Sequence, residues 1–323
     1  MRVRDAVVVV TGASSGIGRA AALEFAGKGA SVVVAARRPE ALRELVRECE
    51  AAGGRALAVP TDVADAHQVN NLARLAAERF GRIDVWVNAA AVSVFAPFEE
   101  IPLDDFRRVL DVNVMGCVHG ARAALRYLRD QGRGVLVNVS SVVGAVPQPY
   151  TAPYGMSKFA VRALGVSLRQ ELRLAKARGV RVCTVLPATI DTPFFAHAAN
   201  YTERRAVAMP PVYSPERVAR AIVGLVRVPR REVVVGPVGR VLLLQAKFWP
   251  GLTEKLTAFQ VDRSHLSRQQ DADPTHGNLH EPAPGTGEVH GGWHGGRRTA
   301  VRRVATGALV LTGAALAVAR GRR

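Results

Sequence analysis

Cysteine is scarce in this 323-residue chain: Cys49, Cys117 and Cys183 lie far apart, odd in number and in apolar or helical surroundings. That excludes a disulfide-framed secreted domain and leaves reduced thiols. Aromatics make up only 6% of residues, and no basic patch interleaves with them, so the surface a nucleic acid would need is missing and no nucleic-acid partner is expected. Acids are outnumbered as well, 27 against 44 lysines and arginines, for a net charge of +17. The excess is uneven: Arg297–Arg323 holds seven arginines and no acid, while elsewhere single arginines are scattered along helical stretches as on solvated faces. The N-terminus has no long apolar run. Four valines follow Arg2 and Arg4 and end in a glycine-rich turn, which reads as a first strand and not a signal peptide.

What is present is an alternation. β-Branched runs at Val7–Val10, Val32–Ala35, Ala56–Pro60, Val85–Asn88, Val135–Val139, Arg181–Leu186 and Val233–Val235 read as strands. Helical patterns lie between them at Ile17–Lys28, Pro39–Ala52, Ala66–Phe80, Asp104–Arg129, Tyr154–Ala175 and Pro215–Val226. Nearly continuous apolar strands are expected where a sheet is covered on both faces. The fold class is therefore α/β, a Rossmann-type doubly wound parallel sheet of about seven strands in a single domain over residues 1–262.

Beyond that domain, "DADPTHGNLHEPAPGTGEVHGGWHGG" is rich in Gly, Pro and His without periodicity, and residues 263–298 read as a disordered linker. It carries the pairs His276/His280 and His290/His294, but glycines and prolines oppose the helix that would turn four-residue spacing into a metal site, so no metal is expected. Residues 299–323 form an Arg-flanked apolar segment. Its uncharged core, Val304–Ala319, spans only ~24 Å as a helix, short of the ~30 Å hydrocarbon layer, and has two readings: a membrane anchor with snorkelling arginines or a terminal packing helix. A cytoplasmic protein with a C-terminal segment able to attach to a membrane surface is the expectation. "RVLLLQAKFWPGL", Arg240–Leu252, suits a lipid interface or docking onto the domain, and docking is favoured.

The first strand runs into "TGASSGIG", residues 11–18, and then a helix. At such a turn a helix N-terminus offers unpaired N–H groups and partial positive charge to a pyrophosphate. Gly12 permits the tight turn, Gly16 lets backbone approach a ligand, and Gly18 lets the helix pack closely on the sheet. At the end of the second strand, where an acid would accept ribose hydroxyls, "AARR" places Ala36 followed by Arg37 and Arg38, guanidinium groups suited to a 2′-phosphate. Tyr154 and Lys158 stand four residues apart on one helix face, so an ammonium accompanies a phenol whose ordinary pKa near ~10 makes it a poor base. Such a cation is expected to lower the phenol by about 1–3 units.

Together, TGxxxGxG, Asn88 closing the fourth strand, Asn113 in the next helix, Ser141 in "VNVSSVVG" and Tyr154/Lys158 resemble the short-chain dehydrogenase/reductase family over about residues 5–260. The resemblance implies an oxidoreductase that passes hydride between NADP(H) and a carbonyl or secondary alcohol. Tyr154 would be general acid/base, Lys158 would lower its pKa and bind ribose, Ser141 would position the substrate oxygen, and Asn113 would hold a water leading to Lys158. Ser14, Ser15, Ile17 and the three glycines would hold the cofactor phosphates, Asp62–Val63 the adenine, Asn88 and Ala89 the fourth-strand edge, and Pro187 with Thr192 the nicotinamide carboxamide. Two departures, "NAAA" at Asn88–Ala91 and Ala188 after Pro187, each add a methyl group beside the cofactor path. The resemblance also implies a homo-oligomer.

The stretch from Ala188 to Tyr213 is long and proline-bounded, and reads as a mobile lid whose Phe194, Phe195 and Tyr201, with Val94, Phe95, Pro147 and Tyr150, suit a small apolar substrate. His197 reads as polar surface. Other classes remain open: a non-catalytic NADP-binding sensor or scaffold, and an adaptor acting through the basic tail.

Overall fold

The computed structural model describes residues 1–285 and 287–293. Its strands are β1 (Val7–Thr11), β2 (Ser31–Ala36), β3 (Arg55–Pro60), β4 (Val85–Asn88), β5 (Val94–Phe95), β6 (Gly134–Val139), β7 (Val180–Pro187), β8 (Ala199–Asn200), β9 (Arg204–Ala206), β10 (Glu232–Val235) and β11 (Leu266–Asp271). The helices are α1 (Gly16–Ala26), α2 (Pro39–Ala51), α3 (Ala66–Phe80), α4 (Leu103–Leu110), α5 (Gly116–Asp130), α6 (Ala152–Leu174), α7 (Phe194–His197), α8 (Pro215–Arg227), α9 (Pro237–Phe248) and α10 (Pro250–Ser264).

Seven strands form one parallel sheet in the order β10-β7-β6-β4-β1-β2-β3. The valine-rich runs explain it. In β1, Val8 and Val10 point into the layer under α1, α2 and α8, and Val9 points into the opposite layer under α3, α5 and α6. A two-residue period with both faces apolar suits only a sheet covered on both sides, and each fully buried valine contributes about 1.5–3 kcal/mol. The chain moves outward from β1 in both directions, so the crevice between β1 and β4 is the topological switch point, where ligands of such sheets bind.

Three sequence expectations are corrected. The helix expected over Asp104–Arg129 is interrupted: Asp111–Met115 is a π-turn between α4 and α5. Docking of Arg240–Leu252 onto the domain holds for one face of α9 only: Leu242, Leu243 and Ala246 are half-buried and Leu242 lines the cleft described below, whereas Val241, Leu244, Phe248 and Trp249 are exposed. The linker expectation for residues 263–298 fails over its described part. Strand β11 pairs antiparallel with β9, Thr275 bridges Asn200, and Leu279 is fully buried in the core layer beneath α3 and α5. One apolar residue among glycines and prolines shows no period, yet it anchors the segment. The segment Val304–Ala319 and His294 lie outside the described residues, among which no helix is long and apolar enough to cross a membrane. All three cysteines are free and buried.

Candidate functional site

Sixteen of the eighteen residues expected from the sequence line one cleft of about 320 Å³ at the C-terminal edge of the sheet; Asn88 and Asn113 do not. The glycine turn forms its floor. Gly12 has φ +67°, and a side-chain carbon there would sit 2.5 Å from the Ala90 backbone. At Gly18 a methyl group would drive into the Gly12 carbonyl, so α1 can approach β1 this closely only without one. Ser14, Ser15, Gly16 and Ile17 complete the turn, with Ser15 at the helix N-cap.

Beside the turn, Arg37 and Arg38 follow β2, and Asp62 and Val63 follow β3. The Asp62 carboxylate accepts from Arg108 Nη2 at 2.7 Å and from the Ala64 N–H at 2.9 Å. Burial pushes this carboxyl upward, but those two bonds and the charges of Arg108 and Arg37 more than offset it, holding it below the usual range. Arg108, from α4, is a residue the sequence reading missed, because nothing in its own spacing ties it to a strand end forty-six positions earlier.

At the other end of the cleft, α6 carries Tyr154 and Lys158 toward β6. The Lys158 ammonium donates to the Val139 carbonyl at 3.1 Å and lies 5.4 Å from the centroid of the Tyr154 ring. Burial brings the ammonium down to about 8 and pushes the Tyr154 phenol up to about 12, with a hydrogen bond to Ser141 pulling the phenol the other way. The expected downward shift by Lys158 is therefore reversed. The ammonium lies over the ring, and desolvation of the phenolate is the largest influence on the phenol. Ser141 caps the short turn Val142–Gly144, its hydroxyl accepting from Val143 N at 3.1 Å. Pro187 ends β7, and Thr192 packs against Gly16.

The two asparagines have other work. Asn88 Nδ2 donates to Asn138 Oδ1 and to the Cys117 carbonyl, while its Oδ1 accepts from Trp86 Nε1, a buried network behind the cleft. Asn113 sits in the π-turn, fully buried. Its Oδ1 accepts from Val92 N at 2.8 Å, and its Nδ2 donates to Val92 O and Ser157 Oγ, each at 2.9 Å. The amide thus ties α6 and the π-turn to the loop after β4, and is filled by protein partners where a water was expected. π-Turns of this kind gather at functional sites.

Phe95, Phe194, Phe195, Met209 and Leu242 line the mouth near Tyr154, whose ring lies 5.3 Å from that of Phe194. His197 also lines the cleft, contrary to its reading as plain surface, and burial lowers its pKa. Val94, Pro147, Tyr150 and Tyr201 do not reach this lining. Val94 pairs with Ala199 in the small sheet of β5 and β8, and Tyr201 turns away toward Asp105.

The described part of the C-terminal segment crosses the cleft as a strap. Arg37 donates to the carbonyls of Asn278, Leu279 and His280 at 2.5, 3.1 and 2.9 Å, and Arg38 to those of Ala283 and Gly285. The Gly16 N–H donates to the Glu288 carbonyl at 2.8 Å, so the strap engages both the arginines and the helix N-terminus. His290 lies 2.8 Å from a Glu216 oxygen, and the Trp293 indole donates to Thr192 O.

Residues 6–202 match the short chain dehydrogenase family model. An uncharacterized oxidoreductase, YxnA, from Bacillus subtilis is 38% identical over 79% of this chain and 72% of its own length. A 3beta-hydroxysteroid dehydrogenase 1 from Eggerthella lenta is 38% identical over 66% of this chain and 84% of its own. Among solved structures, a short chain dehydrogenase/reductase from Burkholderia phymatum in complex with NAD superimposes with a TM-score of 0.71 at 28% identity, covering 79% of this chain and 97% of that one. An alcohol dehydrogenase from the archaeon Thermococcus sibiricus complexed with 5-hydroxy-NADP gives 0.63, also at 28% identity, over 72% and 96%. Because the matched region runs from the first strand through the glycine turn and α6 to the lid, the chain belongs to the short-chain dehydrogenase family of oxidoreductases.

Proposed function

We propose that the protein interconverts an apolar carbonyl compound and its secondary alcohol with NADP(H), Tyr154 exchanging the proton. The observation that carries this reading is the convergence of Tyr154, Ser141 and Lys158 on a cleft that also contains the glycine turn and two arginines. The residues fit a dinucleotide: a side-chain-free cradle at Gly12 and Gly18, a helix N-terminus beside it, and Arg37 and Arg38 where a 2′-phosphate needs a guanidinium. When bound, NADP(H) supplies or takes the hydride, chemistry no side chain here can perform.

A phenol held near 12 is fully protonated at neutral pH and ready to donate, which suits protonation of a carbonyl oxygen as it is reduced. Ser141 bonds the same phenol and orients the oxygen that receives the proton. Lys158, at about 8, keeps most of its charge at neutral pH and stabilises negative charge arising on Tyr154. Phe95, Phe194 and Phe195 favour an apolar substrate body and keep water from the reacting oxygen.

Tyr154→Phe tests the reading: carbonyl-dependent oxidation of NADPH is expected to fall by about 10²–10⁴-fold, while NADPH affinity from fluorescence titration stays within about twofold. Unchanged turnover would overturn the role of Tyr154.

A further inference from the structure

Asp105, in the first turn of α4, has a side chain 2% exposed. Among the described residues no lysine or arginine pairs with it. What faces it instead is two imidazoles from the strap and a phenol. His280 Nε2 lies 2.8 Å from Oδ1, His276 Nδ1 lies 3.1 Å from Oδ2 and 3.3 Å from Oδ1, and the Tyr201 hydroxyl bonds Oδ2 and lies 2.8 Å from His276 Nδ1. Each imidazole can offer a ring-nitrogen lone pair, and the carboxylate its oxygens, to a shared cation.

The two histidines reach this point without a helix. A turn at Gly277, φ +52°, packs so closely on the His197 carbonyl that no side chain fits there, and Leu279, buried between the two imidazoles in sequence, pins the loop to the core. One ring nitrogen from each histidine and one carboxylate oxygen lie within 4.8 Å of one another. Tetrahedral zinc with ligands at about 2.0–2.2 Å separates its donor atoms by about 3.3 Å. The distances to Asp105 Oδ1, 2.8 Å from His280 Nε2 and 3.3 Å from His276 Nδ1, are close to that value, and the two ring nitrogens, within 4.8 Å of each other, would draw together on a shared ion.

We propose that Asp105, His276 and His280 form a site for a divalent transition metal of the zinc type, with the Tyr201 hydroxyl or a water in the fourth position, and that the bound metal latches the strap over the cofactor cleft. Two neutral nitrogens and one carboxylate oxygen suit Zn²⁺ better than the hard, all-oxygen cations. The latch follows from the position of the ligands in the chain. His276 and His280 bracket the three carbonyls that Arg37 holds, so fixing both imidazoles fixes the segment that occupies this guanidinium. The latch rests on the cofactor reading above; the metal site does not.

The test uses the full chain stripped with a chelator and titrated with Co²⁺ alone, read by the visible bands of a tetrahedral site, and with Zn²⁺ by calorimetry. The expected result is one tight equivalent, weakened at least tenfold by His280→Ala and by His276→Ala, both exposed positions that leave the core intact, and unchanged in His290→Ala. Uptake no greater than that of the His276→Ala/His280→Ala double variant would overturn the site. Zn²⁺ is further expected to raise the dissociation constant of NADPH at least threefold in the wild type and not in the double variant. Zinc bound with no such change would overturn the latch, and its failure is separable from that of the cofactor reading because NADPH still binds.

Discussion

The two walls of the cleft are held in different ways. The inner wall, comprising the glycine turn, Ser141, Tyr154 and Lys158, hangs from strand ends and from α6, and its positions follow from a regular backbone packed in a closed core. The outer wall is the strap, an irregular chain kept in place by backbone carbonyls on Arg37 and Arg38, by one buried leucine and by a histidine pair. Burial on the inner wall, nearly complete for Lys158 and partial for Tyr154, sets the ionisation of both. The outer wall is solvent-exposed over most of its length, and its order depends on a few contacts. Regular structure fixes chemistry in place, whereas a strap of this kind can open, as a segment with few buried apolar contacts does at low free-energy cost.

The sharpest way to break that contrast is Leu279→Ala. Removing a fully buried leucine costs about 2–5 kcal/mol, and here the loss is expected to fall on the strap. Amide exchange of residues 275–291 should accelerate markedly while β1, β4 and β6 stay protected; equal acceleration throughout would show that the strap belongs to the same cooperative unit as the sheet. Gly18→Ala attacks the inner wall instead. With its methyl driven at the Gly12 carbonyl, a cost of about 1–3 kcal/mol is expected, seen as a lower Tm together with weakened dinucleotide binding, and a variant with wild-type Tm and affinity would contradict the close packing assigned to this turn.

Smaller effects sharpen the comparison. On the NADP(H) reading proposed above, Arg37→Ala is expected to lower the ratio of NADPH to NADH affinity by about tenfold, roughly 1.4 kcal/mol. Because freeing the strap affects both cofactors alike, the ratio of the two dissociation constants isolates the phosphate contact, and an unchanged ratio would remove Arg37 from that role. Smallest is the pH effect. The Lys158 cation, lowered from its ordinary value to about 8, is present below that pH and lost above it. The rate of carbonyl reduction should therefore hold from pH 6 to 7 and be about halved near pH 8 as half the ammonium is lost. A rate rising through this window would show that the neutral amine is the active form.

Much of the inner wall was legible in the chain because its signals are local. TGxxxGxG must be a turn between a strand and a helix, and residues four apart on a helix must share a face. Legibility stopped where a side chain could face either way. Asn88 ends its strand as expected, yet its amide turns into the network with Trp86 and Asn138, and Asn113 spends its hydrogen bonds on Val92 and Ser157. Spacing places a residue on an element; packing decides which neighbours saturate it.

By itself, then, the sequence determined the parallel αβ layering, the glycine turn and the pairing of Tyr154 with Lys158, because hydrophobic periodicity and backbone geometry act over a few residues. Only the tertiary structure decided that burial would raise the Tyr154 phenol, that Arg108 would reach Asp62, and that Leu279 would seat the strap with His276 and His280 against Asp105. The contacts of Arg108 with Asp62 and of His280 with Asp105 join groups 46 and 175 positions apart, and no local pattern encodes the desolvation and close packing that bring them together.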